Sequence, residues 1–428
     1  MDRAEQSVGS TRLSLRANFS WTFVGNSLFA ACQWGMLIVL AKFGSPALVG
    51  QFALASAITV PVVMLSNMQL RDIQATDARI EYQFGDYVGL RLITTLVALL
   101  ILLGAIPILG YQGETALVVA AFGLFKAVEA ISDVIFGLLQ QRERMDRIAQ
   151  SLMLKGVLSL IALGSGVLLG GSLIWGILGL TVVWVLVITL FDRRSIALIL
   201  GTRGEKVTLP APRWEWPTLW SLLQLALPLG MVMMLIALAT SIPRFFVERY
   251  LGSHILGIFA ALTYLQVAGM TVVSALGQSA LPRLSHYYAA GERGAFLQLL
   301  LRMLGIGLLL GGGGVILAIV AGPLLLTLIY EAEYAAHADF FVWVMVASAI
   351  GYLSWIAGEG VKAARYLRIQ VVLFAIQVIV LTGMCIWLIP ALGLMGVALV
   401  MITAALIHLL GVVLILMHAI RAMTPTAG

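Results

Sequence analysis

Long hydrophobic runs are the feature that most limits how this 428-residue chain can fold. The hydrocarbon core of a bilayer is about 30 Å thick, and a helix needs about 20 apolar residues to cross it. Twelve runs are long enough, with approximate limits at 16–41, 48–70, 88–109, 115–140, 148–169, 173–191, 219–243, 254–277, 296–321, 338–361, 368–389 and 393–418. The chain is therefore predicted to be an all-α integral membrane protein with twelve transmembrane helices.

Composition supports this prediction. The chain is 61% hydrophobic and 11% charged, and its mean hydropathy is +1.03. A soluble domain has about 45–50% apolar and 25% charged residues. The first 14 residues are polar, and no A-x-A-like site follows a short apolar stretch. We therefore expect no cleaved signal peptide, and we expect the first span to direct insertion.

The basic residues predict the orientation in the membrane. With both termini placed in the cytoplasm, 22 of the 26 Lys and Arg residues fall in the terminal segments and inner connections. Three fall outside (Lys42, Arg244 and Arg249), and Lys126 is left at mid-membrane. Inner loops of membrane proteins carry this excess of Lys and Arg, so both termini are predicted to be cytoplasmic. The formal charge of +6 is then mostly a topology signal, and no nucleic-acid partner is expected.

The longest inner connection divides the spans six and six. It predicts an N-terminal six-helix lobe at 1–192, a cytoplasmic basic linker at 193–217 and a C-terminal six-helix lobe at 218–428. The two halves are also similar in sequence, since Gly44 aligns with Gly252 and Gly50 with Gly257 if one residue is skipped. Repeats of six spans have the same orientation, and such halves enclose a substrate path in alternating-access transporters.

One predicted span carries a charged stripe. At about 100° per residue, the segment 122–140 brings together on one face Phe122, Lys126, Glu129, Asp133, Gly137 and Gln140. A charge at the centre of a bilayer costs about 3 kcal/mol or more, so this face is expected to line a bundle interior or a wet cavity. The alternative is that Lys126 pairs with Glu129 one turn away simply to hold helices together.

Four further stretches, at 69–95, 241–265, 280–300 and 328–345, resemble a known family. They are similar to the polysaccharide biosynthesis membrane proteins, the O-antigen and exopolysaccharide flippase branch of the multidrug/oligosaccharidyl-lipid/polysaccharide (MOP) exporter superfamily. The resemblance implies two pseudo-symmetric six-helix lobes around a V-shaped cavity, as in MATE-like proteins. It also implies export of oligosaccharides on polyprenyl pyrophosphate across a bacterial inner membrane. Many relatives have an acidic residue before the arginine late in the seventh span, where this chain has Pro243 before Arg244.

A pyrophosphate that leaves water needs fixed cations, and guanidinium donates paired hydrogen bonds to phosphate oxygens. The candidate ligands are Lys126, Arg244 and Arg71. Arg71 could instead be an interfacial arginine whose charged end extends to the membrane surface. Arg244 could instead form a salt bridge with Glu248. Gln33 and Tyr264 are candidate contacts for the sugar. Their alternative role is to form hydrogen bonds between helices.

Glu129 or Asp133 is the candidate site for a coupling H⁺ or Na⁺, because a carboxylate desolvated in a bundle gains proton affinity. No cofactor or metal is expected, and the five histidines show no ligand or catalytic spacing. The chain is therefore expected not to be an enzyme. The expected partners are the lipid-linked oligosaccharide, membrane lipids, and the glycan polymerase and glycosyltransferases of the same pathway.

Three other functions stay open. The first is a cation-coupled drug/toxin antiporter of the same superfamily, which would share the fold and the acidic intramembrane residues. The second is a membrane glycan polymerase or ligase, for which the short outer loops leave little room. The third is a scaffold that transports nothing, which predicts no solvent-reachable cavity.

Overall fold

The computed structural model describes residues 14–77, 79–199 and 211–423. Every regular element within these ranges is a helix. The predicted cytoplasmic arginines Arg3 and Arg12, and the basic residues Arg203 and Lys206 of the predicted linker, lie outside the described residues.

The chain forms fifteen α-helices and one short π-helix within the described ranges. The helices of the first half are α1 (Leu15–Phe43), α2 (Pro46–Asn67), α3 (Leu70–Thr76), α4 (Phe84–Ile108), α5 (Gly113–Gln141), α6 (Met145–Gly170), α7 (Leu173–Val187), the π-helix (Ile188–Asp192) and α8 (Arg193–Ile199). Those of the second half are α9 (Trp216–Tyr264), α10 (Gln266–Ala289), α11 (Arg293–Ile329), α12 (Ala332–Ala335), α13 (Ala338–Ala363), α14 (Leu367–Leu392) and α15 (Leu394–Arg421).

The described residues contain ten helical stretches long and apolar enough to cross a membrane. One of them, Trp216–Ala289, contains two predicted spans, and Gly252 interrupts it with φ 86° and ψ 168°. Helix α5 is 29 residues long but is not one of the ten, and it carries the charged stripe. The chain is thus a multi-pass membrane protein, while the twelve-span count and the cytoplasmic termini stay predictions.

The chain divides into two compact units. Unit 1 contains the residues up to Gly44 and Ala55–Ala237, and unit 2 contains Ser45–Leu54 and Leu238–Gly428. The beginning of α9 therefore belongs to unit 1 and the beginning of α2 to unit 2. The predicted lobes at 1–192 and 218–428 differ from these boundaries and stay a prediction.

Two glycines that align between the sequence halves pack against each other in unit 2. A Cβ built on Gly50 would overlap the carbonyl oxygen of Ser253, and one built on Gly257 would overlap the carbonyl oxygen of Pro46. The contact is reciprocal, because each glycine meets the residue four positions before the other. Small residues let two helix backbones approach this closely inside a membrane.

In unit 1, α1 packs against α6, α6 against α7, and α5 against α3, α4 and α7. Helix α5 therefore has neighbours on several sides, and this arrangement places its charged stripe. Between α2 and α3 the chain turns at Met68 and Gln69, which have φ values of 49° and 52°. Residues other than glycine rarely adopt this left-handed conformation, and here it redirects the chain so that α3 packs on α5.

Candidate functional site

Unit 1 contains a cavity of about 390 Å³. Its polar and charged lining residues are Asn26, Asn67, Gln69, Arg71, Lys126, Glu129 and Asp133. Its aromatic lining residues are Phe29, Phe136 and Trp184. The charged stripe of α5 thus lies along a cavity wall, with its ionisable groups beside polar side chains of α1, α2 and α3.

Lys126 and Glu129 form an ion pair on this wall. The Lys126 Nζ atom lies 2.6 Å from Glu129 Oε2, and it also lies 5.4 Å from the centre of the Phe125 ring. A cation within about 6 Å of an aromatic ring is attracted by the ring quadrupole. The local pairing predicted as the alternative role is therefore present, and the pair also lines the cavity.

Asp133 lies between two arginines. Its Oδ2 atom accepts a hydrogen bond from Arg91 Nη2 at 3.1 Å, and its Oδ1 atom lies 3.7 Å from Arg71 Nη1. Arg91 is buried, with 1% of its surface exposed, and its other Nη atom donates to Asn67 Oδ1 at 2.5 Å. Arg91 is thus held by two partners on one side of the carboxylate.

Arg71 is bound more loosely than Arg91. Good charge-assisted hydrogen bonds measure about 2.7–2.9 Å, whereas Arg71 lies 3.7 Å from its carboxylate. Its Nε atom donates to Gln140 Oε1 at 3.0 Å, and its guanidinium carbon lies 5.5 Å from the Phe136 ring centre. The side chain points toward α5 and lines the cavity, and the alternative role as a snorkelling arginine stays a prediction.

A second ion pair lies behind the same wall. Lys155 Nζ lies 2.7 Å from Asp192 Oδ2, and both side chains are 0% exposed. Lys155 also donates to the Ser132 hydroxyl. Its ammonium lies 4.6 Å from the Phe136 ring centre and 4.7 Å from that of Trp184, two rings that themselves line the cavity. The pair therefore supports the aromatic part of the wall from outside.

Sequence reasoning missed Arg91, Lys155 and Asp192. The count of basic residues placed Arg91 and Lys155 in inner connections, which is wrong, since they lie seven residues after the start of α4 and ten after the start of α6. Arg91 and Lys155 also lie inside the predicted spans 88–109 and 148–169. A basic residue inside a predicted span is the sequence signal that identifies them as buried charges. Asp192 closes the π-helix, an element often found at functional sites.

Gln33 lies exposed on α1. The α1 amide that lines the cavity belongs instead to Asn26, two turns earlier. The two positions lie close to the same helix face, because seven residues make nearly two turns. Gln33 does not line this cavity, and its role as a sugar contact stays a prediction.

The other predicted residues lie in unit 2. Arg244 is half-buried in α9 and interacts electrostatically with Tyr264, the last residue of that helix. Glu248, the alternative partner predicted for Arg244, lies one turn further along α9, and that alternative stays a prediction.

The residues after Tyr264 tie α10 to α13. The backbone carbonyl of Gln266 accepts a hydrogen bond from the Tyr352 hydroxyl at 2.7 Å. Its side-chain oxygen accepts one from Ser348, also at 2.7 Å. The chain is therefore fixed on α13 one residue beyond the break between α9 and α10, close to the Arg244 partner.

Solved transporter structures share this fold. A multidrug resistance MATE family transporter of the MOP superfamily in its inward-facing conformation matches with a TM-score of 0.61 and 16% identity over 96% of each chain. An outward-facing structure matches with a TM-score of 0.51 and 15% identity over 95% of each chain. A MOP superfamily transporter from Pyrococcus furiosus matches with a TM-score of 0.52 and 15% identity over 96% of this chain and 94% of that one. The fold is therefore that of the MATE transporters.

Sequence comparison gives the family. The family model described as polysaccharide biosynthesis protein matches residues 15–288, well over half of the chain, and the chain belongs to this family. The capsular polysaccharide biosynthesis protein CapF of Staphylococcus aureus is 27% identical over 320 residues, which are 75% of this chain and 78% of CapF. The resemblance predicted from four sequence stretches is thus confirmed, and the chain is a multi-pass membrane protein of the polysaccharide biosynthesis family with the MATE fold.

Proposed function

We propose that this protein moves polyprenyl-pyrophosphate-linked oligosaccharides, the repeat units of a surface polysaccharide, across the cytoplasmic membrane of a bacterium by alternating access. The observation that carries the proposal is the loosely paired Arg71 in the cavity of unit 1. Its guanidinium lies 3.7 Å from Asp133 and lines the cavity, so an incoming phosphate oxygen can replace the carboxylate.

Charge exchange is the physical basis of this binding step. Around the cavity, Arg71, Arg91, Lys126 and Lys155 face the carboxylates of Glu129, Asp133 and Asp192. The balance is one positive charge if all are ionised. When the pyrophosphate binds Arg71, Asp133 keeps its partner Arg91 and is not left as an uncompensated buried charge, a state that costs about 3–5 kcal/mol.

Lys126 supplies a second phosphate contact on the same wall. In this proposal Lys126 leaves Glu129 when a coupling H⁺ or Na⁺ binds that carboxylate. Asp133, which lies between Arg91 and Arg71, is the other candidate coupling site. In unit 2, Arg244 beside Tyr264 provides a further cation for the same anionic cargo.

The glycan meets amides and aromatic rings in this proposal. Asn26 and Gln69 line the cavity with free hydrogen-bonding capacity toward sugar hydroxyls, and Trp184 and Phe29 present ring surfaces. Glycosyltransferases that build the lipid-linked unit supply the cargo, and a polymerase consumes it after translocation. The protein itself makes and breaks no covalent bond.

The multidrug transporters of the same fold favour a second candidate, the export of cationic drugs. The side chains that line the cavity carry two positive charges, Arg71 and Lys126, and two negative charges, Glu129 and Asp133, if all are ionised, so charge alone does not separate the two cargoes. Efflux of ethidium from a pump-deficient strain separates the two functions. Efflux restored by this protein would support the antiporter.

The test is translocation of a fluorescent polyprenyl-pyrophosphate oligosaccharide into inverted membrane vesicles. We expect Arg71→Ala to reduce the initial rate by about tenfold or more, since a hydrogen bond to a charged group contributes about 1.5–3 kcal/mol. Arg147→Ala is the matched control, because the Arg147 and Arg71 side chains are 28% and 29% exposed and Arg147 does not line the cavity. Unchanged translocation in Arg71→Ala combined with Lys126→Ala would refute the headgroup role.

A further inference from the structure

A second hollow in unit 1, called here the apolar groove, lies between the end of α2, the middle of α4 and the first part of α9. Its volume is about 250 Å³. Along α4 it extends from Leu90 to Ile101, about 16 Å at 1.5 Å per residue. The hydroxyls of Ser66 and Thr94 in its wall bond to backbone carbonyls of their own helices, Val63 and Arg91. The groove therefore suits a ligand that is pure hydrocarbon.

Helix α2 separates the apolar groove from the cationic cavity. Val63 and Asn67 line the cavity, whereas Val62 and Leu65 line the groove. The separating wall ends at the left-handed turn, where Met68 lines the groove and Gln69 lines the cavity. Two consecutive left-handed residues that are not glycine are a strained arrangement, and strain of this kind concentrates at ligand sites.

Helix α9 has the same relationship to the two hollows. Leu227 lines the groove and Met233 lines the cavity. Between them, Gly230 packs so tightly on α2 that a Cβ there would lie 2.6 Å from the carbonyl oxygen of Leu65. Helices α2 and α9 thus form one thin wall between the cavity that contains Arg71 and the apolar groove.

We propose that the apolar groove holds the first part of the polyprenyl chain of the cargo while its pyrophosphate lies beside Arg71 in the cavity. The chain and the headgroup meet at the turn of Met68 and Gln69. This inference rests on the proposed function, because it assigns the two hollows to the two chemically different ends of one amphiphile. Basic side chains complement the anionic end, and a wall without free polar groups complements the chain.

Site-specific photocrosslinking tests the occupant. Trp220 in the groove and Trp175 on α7 are both exposed, at 50% and 58%, and each is replaced in turn by p-benzoylphenylalanine, so that a large aromatic side chain replaces another and the groove is not filled. The variants are reconstituted in phosphatidylglycerol vesicles with the fluorescent polyprenyl-pyrophosphate oligosaccharide. We expect about tenfold more labelling at position 220, and we expect unlabelled cargo to compete for it. Equal labelling at both positions would show that bulk lipid fills the groove and would overturn the proposal.

A groove-filling variant gives an independent readout. We expect Val97→Trp to slow translocation about tenfold while Arg71-dependent binding of inorganic pyrophosphate is unchanged. Leu103→Trp is the control, because Leu103 is exposed on the same helix and does not line the groove. Cargo translocation that is unaffected by Val97→Trp overturns the groove assignment and leaves the proposed function intact. Wild-type vesicles that do not translocate the cargo refute the proposed function, and the groove assignment with it.

Discussion

Lys155 and Asp192 form an ion pair, with 2.7 Å between Nζ and Oδ2, from which solvent is fully excluded. The two residues lie on α6 and at the end of the π-helix, 37 positions apart in the chain. Taking two charges out of water costs several kcal/mol per ion, and only good geometry and further hydrogen bonds repay it. Ser132 provides such a bond on the lysine side.

We expect the removal of one partner of the Lys155 and Asp192 pair to destabilise the protein much more than the replacement of both partners by apolar residues. Lys155→Met alone should lower the free energy of unfolding by about 3–5 kcal/mol, because it leaves Asp192 as an uncompensated buried charge. The double variant Lys155→Met with Asp192→Leu should recover most of the loss. Thermal unfolding of the purified proteins in detergent measures the stability of the single and the double variant. A double variant no more stable than the single one would contradict this account.

Asp133 should act as a counter-ion that competes with the cargo. Asp133→Asn removes the carboxylate that lies 3.7 Å from Arg71, so the cavity gains a positive charge. We expect a lower KM for the lipid-linked oligosaccharide and a lower maximal rate, since the anion binds more tightly and leaves more slowly. Initial rates in inverted vesicles at several cargo concentrations give both quantities. A raised KM would show that Asp133 positions Arg71 and does not compete with the cargo.

Glu129 is a candidate coupling site, and Lys126 lies 2.6 Å from it. Glu129→Gln keeps the shape but cannot take up or release a proton. We expect translocation by this variant to lose its dependence on an imposed pH gradient while measurable exchange of cargo in both directions remains. Glu114→Gln is the control, because Glu114 lies exposed in the first turn of the same helix. A pH-gradient response in Glu129→Gln equal to that of the wild type would exclude Glu129 as the coupling site.

The ends of α5 offer a test of the predicted topology. Gln112 and Glu143 are exposed and flank the 29-residue helix. In a variant without Cys32 and Cys385, we expect a single cysteine at 112 to react with a membrane-impermeant maleimide in intact cells, and one at 143 to react only in inverted vesicles. Labelling of both positions from the same side would remove α5 from the predicted twelve spans.

The reciprocal glycine contact in unit 2 predicts a stability loss. Gly50→Ala or Gly257→Ala should lower the free energy of unfolding by about 1–3 kcal/mol, the usual cost of overpacking. Gly351→Ala is the control, since a Cβ there meets nothing within 4 Å and alanine is the better helix former by about 1 kcal/mol. The midpoints of unfolding in detergent are compared for the Gly50→Ala, Gly257→Ala and Gly351→Ala variants. Equal midpoints for all three variants would show that moving the helices of Gly50 and Gly257 apart does not lower the free energy of unfolding.

Local periodicity predicted the part of the site that one helix carries. Lys126, Glu129 and Asp133 share a face of α5 because residues three and four apart on a helix are neighbours, and this can be deduced from the sequence alone. The partners of Asp133 cannot, because Arg91 is 42 positions away. Their meeting depends on how α3 and α4 pack on α5, and no spacing in the sequence encodes that packing.

The turn between α2 and α3 had no sequence signal either. Left-handed positions are usually occupied by glycine or asparagine, whereas this chain places Met68 and Gln69 there. The predicted span 48–70 therefore ran through the turn, while α2 ends at Asn67. Tertiary contacts of α3 hold a conformation that the local residues disfavour, and Arg71 reaches the cavity because of it.

The reciprocal contact of Gly50 and Gly257 has an evolutionary consequence. A half-length ancestor with one glycine at this position would make the same contact as a homodimer, with a single residue used twice. Gene duplication and fusion then release the two copies from identical sequence. Each half can diverge while the backbone contact is kept: α5 carries three charges in its central turns, whereas α13 has none between Phe340 and Ile356. Fusion of this kind allows a symmetric pair of helix contacts to coexist with a charged stripe on α5 that α13 lacks between Phe340 and Ile356.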